Sequence, residues 1–228
     1  MLRAIIFDFD GVIADSEPIH LAVFQHVLGE KGYVLSREEY YADYLGYDDR
    51  GCFEAFLTAH GQQPSQTIIE DLVQQKATAY FDYISERPVI FPGVQGLIRD
   101  AATRYRLAIC SGALRHEIEF ILEQSGIRKE FVHITSAEDV TRGKPNPEGF
   151  LHALAALNQQ GADPAMTPPE CLVIEDSLPG IRGAHAAGMK VLAVANTHRL
   201  EELQEADAMT TSLADVKLQE LTHRLWGS

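Results

Sequence analysis

The sequence predicts an α/β protein: a doubly wound parallel sheet with an all-helical domain inserted after its first strand. Two observations carry this. Short apolar runs recur along the chain, separated by helix-length amphipathic stretches. From Ser16 to Arg87 that rhythm breaks, and helical patterns follow one another without a convincing strand.

Ala4–Phe7 is an apolar run closed by a glycine turn, the pattern of a buried parallel strand. It stops on Asp8 and Asp10, one residue apart. A buried, unpaired carboxylate is costly, so something positive has to face this pair. Similar runs occur at Arg106–Cys110, Phe131–Thr135, Cys171–Ile174 and Val191–Val194. Between them, apolar residues at three-to-four spacing predict helices over Gly93–Tyr105, Glu117–Ser125, Phe150–Leu157 and Ile181–Ala187. Gly126 and Gly188 are suited to stopping two of these. The Pro-rich segment Gly161–Pro169 reads as a surface loop.

In the inserted segment, helices are expected over Ile19–Leu28, Ser36–Tyr44, Arg50–His60 and Ile68–Ile84. Ser36 and Glu39 form a capping-box pattern, in which each side chain satisfies an orphan backbone donor of the other. The domain boundaries are accordingly 1–15 and 88–228 for the α/β core and 16–87 for the helical domain. Loops after parallel strands border the ligand crevice, so the insertion reads as a cap.

Composition is that of a globular protein: 228 residues, 46% hydrophobic and 23% charged. No apolar run reaches the roughly 20 residues of a membrane span, and the first residues lack a signal-peptide pattern. The three cysteines, Cys52, Cys110 and Cys171, are scattered without C-x-x-C spacing, which points to a reducing cytoplasm. Nineteen basic against 33 acidic residues give a net charge of −14, which opposes nucleic-acid binding. An anionic substrate then has to be captured by a local positive site. No membrane or nucleic-acid partner is expected, and the expected state is a monomer.

The strand ends carry the chemistry. Asp8 and Asp10 end the first strand, Ser111 and Gly112 the second, and Glu175, Asp176 and Ser177 the fourth; Gly143-Lys144-Pro145-Asn146-Pro147 follows the third. In a parallel sheet these ends share one edge. Such a set suits phosphoryl transfer. Asp8 is the candidate nucleophile and Asp10 the general acid and base. Asp8 and Asp176 offer hard oxygen ligands for Mg²⁺. Lys144 offsets the negative charge and holds a phosphate oxygen. Ser111 and the amides beside Gly112 donate to another oxygen at a helix N-terminus.

These residues carry a resemblance to the haloacid dehalogenase superfamily, in its subfamily I with a helical cap, which includes β-phosphoglucomutases and phosphoglycolate phosphatases. The motif D-x-D-G-[VT] stands as Asp8 to Val12, the strand-two hydroxyl as Ser111, G-K-P-x-P as Gly143 to Pro147, and E-D-S as Glu175 to Ser177, followed by Gly180 and Gly183. All four occur in order across nearly the whole chain. The resemblance implies Mg²⁺ held by Asp8, the Asp10 backbone carbonyl and Asp176, with Glu175 nearby through water. Dehalogenases of the superfamily lack the second aspartate, so Asp10 points to phosphate esters. In capped relatives an early arginine grips the substrate's distal anionic group, and Arg50 occupies that place. His20, close to the first loop, and Lys76 are further substrate-binding candidates. Lys76 lies on a helical stretch among polar neighbours, the usual setting of a solvated lysine.

The expected activity is a Mg²⁺-dependent phosphatase acting on a sugar phosphate or phosphoglycolate-like ester through an aspartyl-phosphate. A phosphohexose mutase shares its first half-reaction and stays open as the alternative. The loop Gly112-Ala113-Leu114-Arg115 lacks the polar residues of the mutases, which favours hydrolysis. No G-x-G-x-x-G, P-loop or G-x-S-x-G signature is present.

Overall fold

A computed structural model describes residues 1–45, 47–85, 89–161 and 164–227. The expected boundary at 87/88 and part of the expected 161–169 loop lie outside the described residues. In chain order the elements are β1 (Ala4–Phe7), α1 (Glu17–Glu30), α2 (Arg37–Glu39), α3 (Asp49–Ala59), α4 (Gln66–Ser85), α5 (Val94–Ala102), β2 (Arg106–Cys110), α6 (Arg115–Gln124), β3 (Phe131–Thr135), α7 (Glu148–Gln159), β4 (Cys171–Glu175), α8 (Leu178–Ala186), β5 (Lys190–Val194), β6 (Ala208–Thr210) and α9 (Leu218–Trp226). They group into two compact units, Met1–Asp15 with Val89–Ser228, and Ser16–Pro88. No described helix is long and apolar enough to cross a membrane.

The first unit is built on a parallel sheet in the order β3-β2-β1-β4-β5-β6. From central β1 the chain steps outward through β2 and β3, then crosses to β4 on the other side. That reversal is the topological switch point where such sheets bind ligands. Alternate residues face opposite ways. Ala4, Ile6, Ala108, Val173 and Val191 bury against Phe150, Leu154 and Leu157 of α7 and Ile181 and Ala184 of α8. Ile5, Phe7, Leu107, Ile109, Leu172 and Ile174 point the other way and are equally buried. Strands apolar on both faces explain the unbroken hydrophobic runs of the sequence.

β6 has no counterpart among the expected strands. It is three residues long, and Met209 is exposed, so neither length nor alternation marks it. It pairs with β5 at the sheet edge through Leu192, Ala193 and Val194.

In the helical unit, the stretch expected as one helix over Ser36–Tyr44 divides. After α2 the chain widens into a π-helical turn over Tyr40–Tyr44, with the Leu45 amide donating to Tyr40 O at 3.0 Å. Only half of the capping box forms. The Glu39 amide donates to Ser36 Oγ at 3.0 Å, while the Glu39 carboxylate turns away to accept from the Tyr44 hydroxyl at 3.3 Å. Phe24, Phe53, Phe56, Tyr40 and Tyr80 form the buried aromatic interior.

Ile6 is fully buried where α7 and α8 meet the sheet. Ile6→Ala should cost about 2–5 kcal/mol, read as a lowered urea midpoint at unchanged slope. A loss within about 0.5 kcal/mol, that of a surface site, would contradict this packing.

Candidate active site

Register places the acids. Phe7 pairs with Ile109 on one side and Ile174 on the other, so the next residue of each strand, Asp8, Cys110 and Glu175, stands level at the C-terminal edge. The Asp8 amide donates to Ile174 O and the Ser111 amide to Thr135 O, each at 2.9 Å. Lys144 arrives on the loop between β3 and α7. There the Asn146 amide donates to Gly143 O at 3.0 Å, and Asn146 Oδ1 accepts from the Glu148 amide at the start of α7, also at 3.0 Å.

Lys144 Nζ lies 2.7 Å from Asp8 Oδ1 and 2.6 Å from Glu175 Oε1. Asp8, Glu175 and Asp176 are all buried, Glu175 completely, and their carboxylate oxygens come within 4.8 Å of one another. Glu175 is committed on both sides. Its Oε1 accepts from Lys144, and its Oε2 accepts from the Asp176 amide at 3.0 Å, the Ser177 amide at 3.1 Å and Ser177 Oγ at 2.9 Å. This explains Gly180, since a Cβ there would stand 1.8 Å from Glu175 Oε1.

Burial first, and the Glu175 charge second, push the Asp8 carboxyl well above the usual carboxylate range, against the pull of Lys144. Burial and Glu175 likewise push Asp176 up to about 7, with Asp10 adding a smaller push and a hydrogen bond from Thr197 opposing. For Lys144, burial alone would favour the neutral amine, but Asp8 and Glu175 outweigh it and hold the ammonium charged above its ordinary range. With all three carboxylates ionised, the one ammonium would leave two negative charges in a buried site. A divalent cation with a preference for oxygen donors fits that remainder in charge and ligand chemistry.

Asp10 follows on a tight turn. The Ile13 and Ala14 amides both donate to Phe9 O, at 2.8 and 2.9 Å, and buried Phe9, Val12 and Ile13 anchor the loop beneath. Gly11 has φ of +72°, and a Cβ there would lie 1.8 Å from Asp176 Oδ2, so the turn closes onto Asp176 only with glycine. Two residues that the sequence analysis missed brace this contact from the loop after β5. Asn196 Nδ2 donates to Gly11 O at 2.7 Å, and the Thr197 side chain hydrogen-bonds Asp176. Their one sequence signal is position, just past the end of a parallel strand.

Ser111 Oγ accepts from the Ala113 amide at 3.0 Å, capping its own turn. The expectation that Ser111 and Gly112 stand at a helix N-terminus is corrected: α6 begins at Arg115, whose amide is taken by Glu138 Oε2 at 2.9 Å. Ser111, Gly112 and Lys144 share a cavity of about 420 Å³ with Thr135, Ser136, Thr141 and Asn146. Arg115 does not line it; its Nη2 donates to Ile134 O at 3.0 Å and pairs with Asp139.

Within the helical unit, Lys76 is 1% exposed, which corrects the reading of a solvated lysine. Its Nζ lies 2.7 Å from Asp49 Oδ1 and 2.8 Å from His20 Nδ1, over the rings of Phe24 and Tyr80. His20 stacks on Tyr80 with ring centroids 4.7 Å apart. Burial and the Lys76 charge hold its pKa well below the ordinary histidine value, so the neutral ring accepts at Nδ1 from the ammonium. Arg50, beside Asp49, is half-exposed and 3.6 Å from Glu70. One unit thus gathers Asp8, Ser111, Lys144, Glu175 and Asp176, and the other gathers His20, Asp49 and Lys76.

A sequence profile of haloacid dehalogenase-like hydrolases matches residues 5–194. The chain is 31% identical over 219 residues to the putative phosphatase YhcW of Bacillus subtilis, covering 91% of this chain and 94% of that one. It is 29% identical over 214 residues to protein CbbY of Rhodobacter capsulatus, covering 90% and 91%. The crystal structure of CbbY from Rhodobacter sphaeroides in complex with phosphate superposes with a TM-score of 0.81 at 27% identity, covering 94% and 96%. The fold and the relatives together define a phosphohydrolase. The chain belongs to the haloacid dehalogenase-like hydrolase family.

The electrostatics predict a pH-dependent response to Mg²⁺. With the Asp176 carboxyl up at about 7, the metal-free folded protein keeps a proton that the unfolded chain has lost above about pH 4. Its stability therefore falls as pH rises through that window, and a cation that takes the place of the proton stabilises more at higher pH. Mg²⁺ should raise Tm more at about pH 8 than at about pH 5.5; the reverse order would contradict the assignment. Gly180→Ala should displace Glu175 and lower Tm and activity together, whereas an active variant of wild-type Tm would show that the glycine is dispensable.

Proposed function

We propose that this protein is a Mg²⁺-dependent phosphatase that hydrolyses a small phosphate monoester, a sugar phosphate or phosphoglycolate-like compound, through a phosphorylated Asp8. The observation that supports it most is the buried Asp8–Lys144–Glu175 bridge beside Asp176.

Asp8 attacks phosphorus and the ester oxygen departs as Asp10 protonates it; Asp10 then removes a proton from the water that attacks the aspartyl-phosphate, releasing inorganic phosphate and restoring Asp8. Lys144 and Ser111 neutralise and orient the phosphoryl oxygens, with Gly112 leaving its backbone open to approach. Asp8, the Asp10 carbonyl and Asp176 would hold Mg²⁺, with Glu175 positioning Lys144 and acting on the cation only through water. When bound, the ion lowers the charge repulsion between the carboxylates and the incoming phosphate. Arg50, His20 and Lys76 are assigned to the part of the substrate that is not transferred. Cys52, Cys110 and Cys171 are buried free thiols, in keeping with a cytoplasmic enzyme.

Hydrolysis is preferred over sugar-phosphate isomerisation because a mutase has to hold a second phosphate beside the transferred one. Ala113 and Leu114 offer no side-chain donor for it, and the Arg115 guanidinium is already engaged by Ile134 O and Asp139.

A panel of phosphorylated metabolites with Mg²⁺, followed for phosphate release and isomerisation together, tests the reading. Phosphate release without isomerisation is expected, and sustained isomerisation would assign the mutase. Asp8→Asn should abolish turnover, while Asp10→Ala should slow it by about 10²–10⁴ with Mg²⁺ affinity largely retained. Turnover by Asp8→Asn at the wild-type rate would remove the nucleophile.

A further inference from the structure

The other end of the sheet carries a feature that phosphoryl transfer does not use. Arg3 precedes β1 and Arg106 opens β2, and the Arg106 amide donates to Arg3 O at 3.2 Å. Arg104, Thr103 and Tyr105 join them around a shallow, open groove of about 490 Å³. These are three of only 19 basic residues in a chain of net charge −14.

Two of the three pair with carboxylates, and one does not among the described residues. Arg3 Nη1 pairs with Glu170 at 3.6 Å, and the same carboxylate accepts from the Thr167 amide at 2.8 Å and Thr167 Oγ1 at 2.9 Å. Arg3 Nη2 donates to Pro164 O at 2.7 Å. Arg104 pairs with Asp100 on the last turn of α5. Arg106 makes no ion pair among the described residues. Its Nη2 donates to Gln160 O at 3.1 Å, and its buried Nε has no acceptor among the described residues. A buried donor left without an acceptor is destabilising, and a carbonyl answers none of the guanidinium charge.

We propose that this groove is a second binding site, for the phosphate group of a small molecule, at the N-terminal edge of the sheet. A phosphate offers several acceptor oxygens on one centre, the arrangement that guanidinium forks match with paired, charge-assisted bonds. It would supply the negative charge that no described residue gives Arg106, whose Nη2 meets only a carbonyl. Three guanidiniums in one groove suit a small anion, because a chain of net charge −14 repels a nucleic-acid polyanion.

Calorimetric titration with inorganic pyrophosphate, without divalent cation, tests this on the wild type and on the Arg3→Gln, Arg104→Gln and Arg106→Gln variants. Each variant should weaken binding, Arg106→Gln by about tenfold or more, while turnover of an aryl phosphate with Mg²⁺ stays at the wild-type rate. Arg104→Gln, at an exposed position, keeps the test open if Arg106→Gln fails to fold. No measurable binding to the wild type, or equal affinity in every folded variant, would overturn the proposal.

Discussion

Three carboxylates buried around one ammonium is the arrangement on which the rest of this structure depends. Placing Asp8, Glu175 and Asp176 so close together, away from water, is unfavourable unless cations answer them. Lys144 answers one charge, through contacts of 2.7 Å to Asp8 and 2.6 Å to Glu175. The remaining pair of charges makes the site receptive to a divalent cation, and with that cation to the phosphate group of a substrate. The proposed attack of Asp8 on phosphorus needs such a setting, because a carboxylate approaching a phosphate dianion otherwise meets repulsion.

The surrounding fold serves to hold that arrangement. β1 and β4 run parallel with Phe7 level with Ile174, so Asp8 and Glu175 end up abreast by register alone. Glu175 is pinned from behind by two amides and the Ser177 hydroxyl. Asp176 is pressed by the Gly11 turn, itself held by Asn196. The helical unit repeats the theme in smaller form. Lys76 is buried with Asp49 as its counter-ion and His20 as a neutral acceptor, so its ammonium is fixed in place where a surface lysine would be free to rotate.

Much of this was legible in the chain because the physics is local. Strands buried on both faces must be apolar throughout, and they must end where polar chemistry begins, so five of the strands and the acids at their ends could be read directly. β6 could not, since three residues at an exposed edge carry neither pattern. The Lys76–His20 contact joins residues 56 positions apart, and a lysine among polar neighbours looks solvated until the helices pack. Ser111 and Gly112 are expected at a helix N-terminus, but the Ser111 hydroxyl closes a nearer turn and Glu138 accepts from the first amide of α6. Asn196 and Thr197 act on Gly11 and Asp176 from the far end of the chain, a relation that no spacing encodes.

The central claim is that Asp8 becomes phosphorylated. Its most direct test is to mix the Asp10→Ala variant and Mg²⁺ with a radiolabelled phosphate ester that the wild type hydrolyses, quench in acid, and map the label by proteolysis. The account predicts stoichiometric label on the peptide carrying Asp8, released by hydroxylamine as expected of an acyl phosphate. Label on a different residue, or no covalent label while the ester is still consumed, would contradict it.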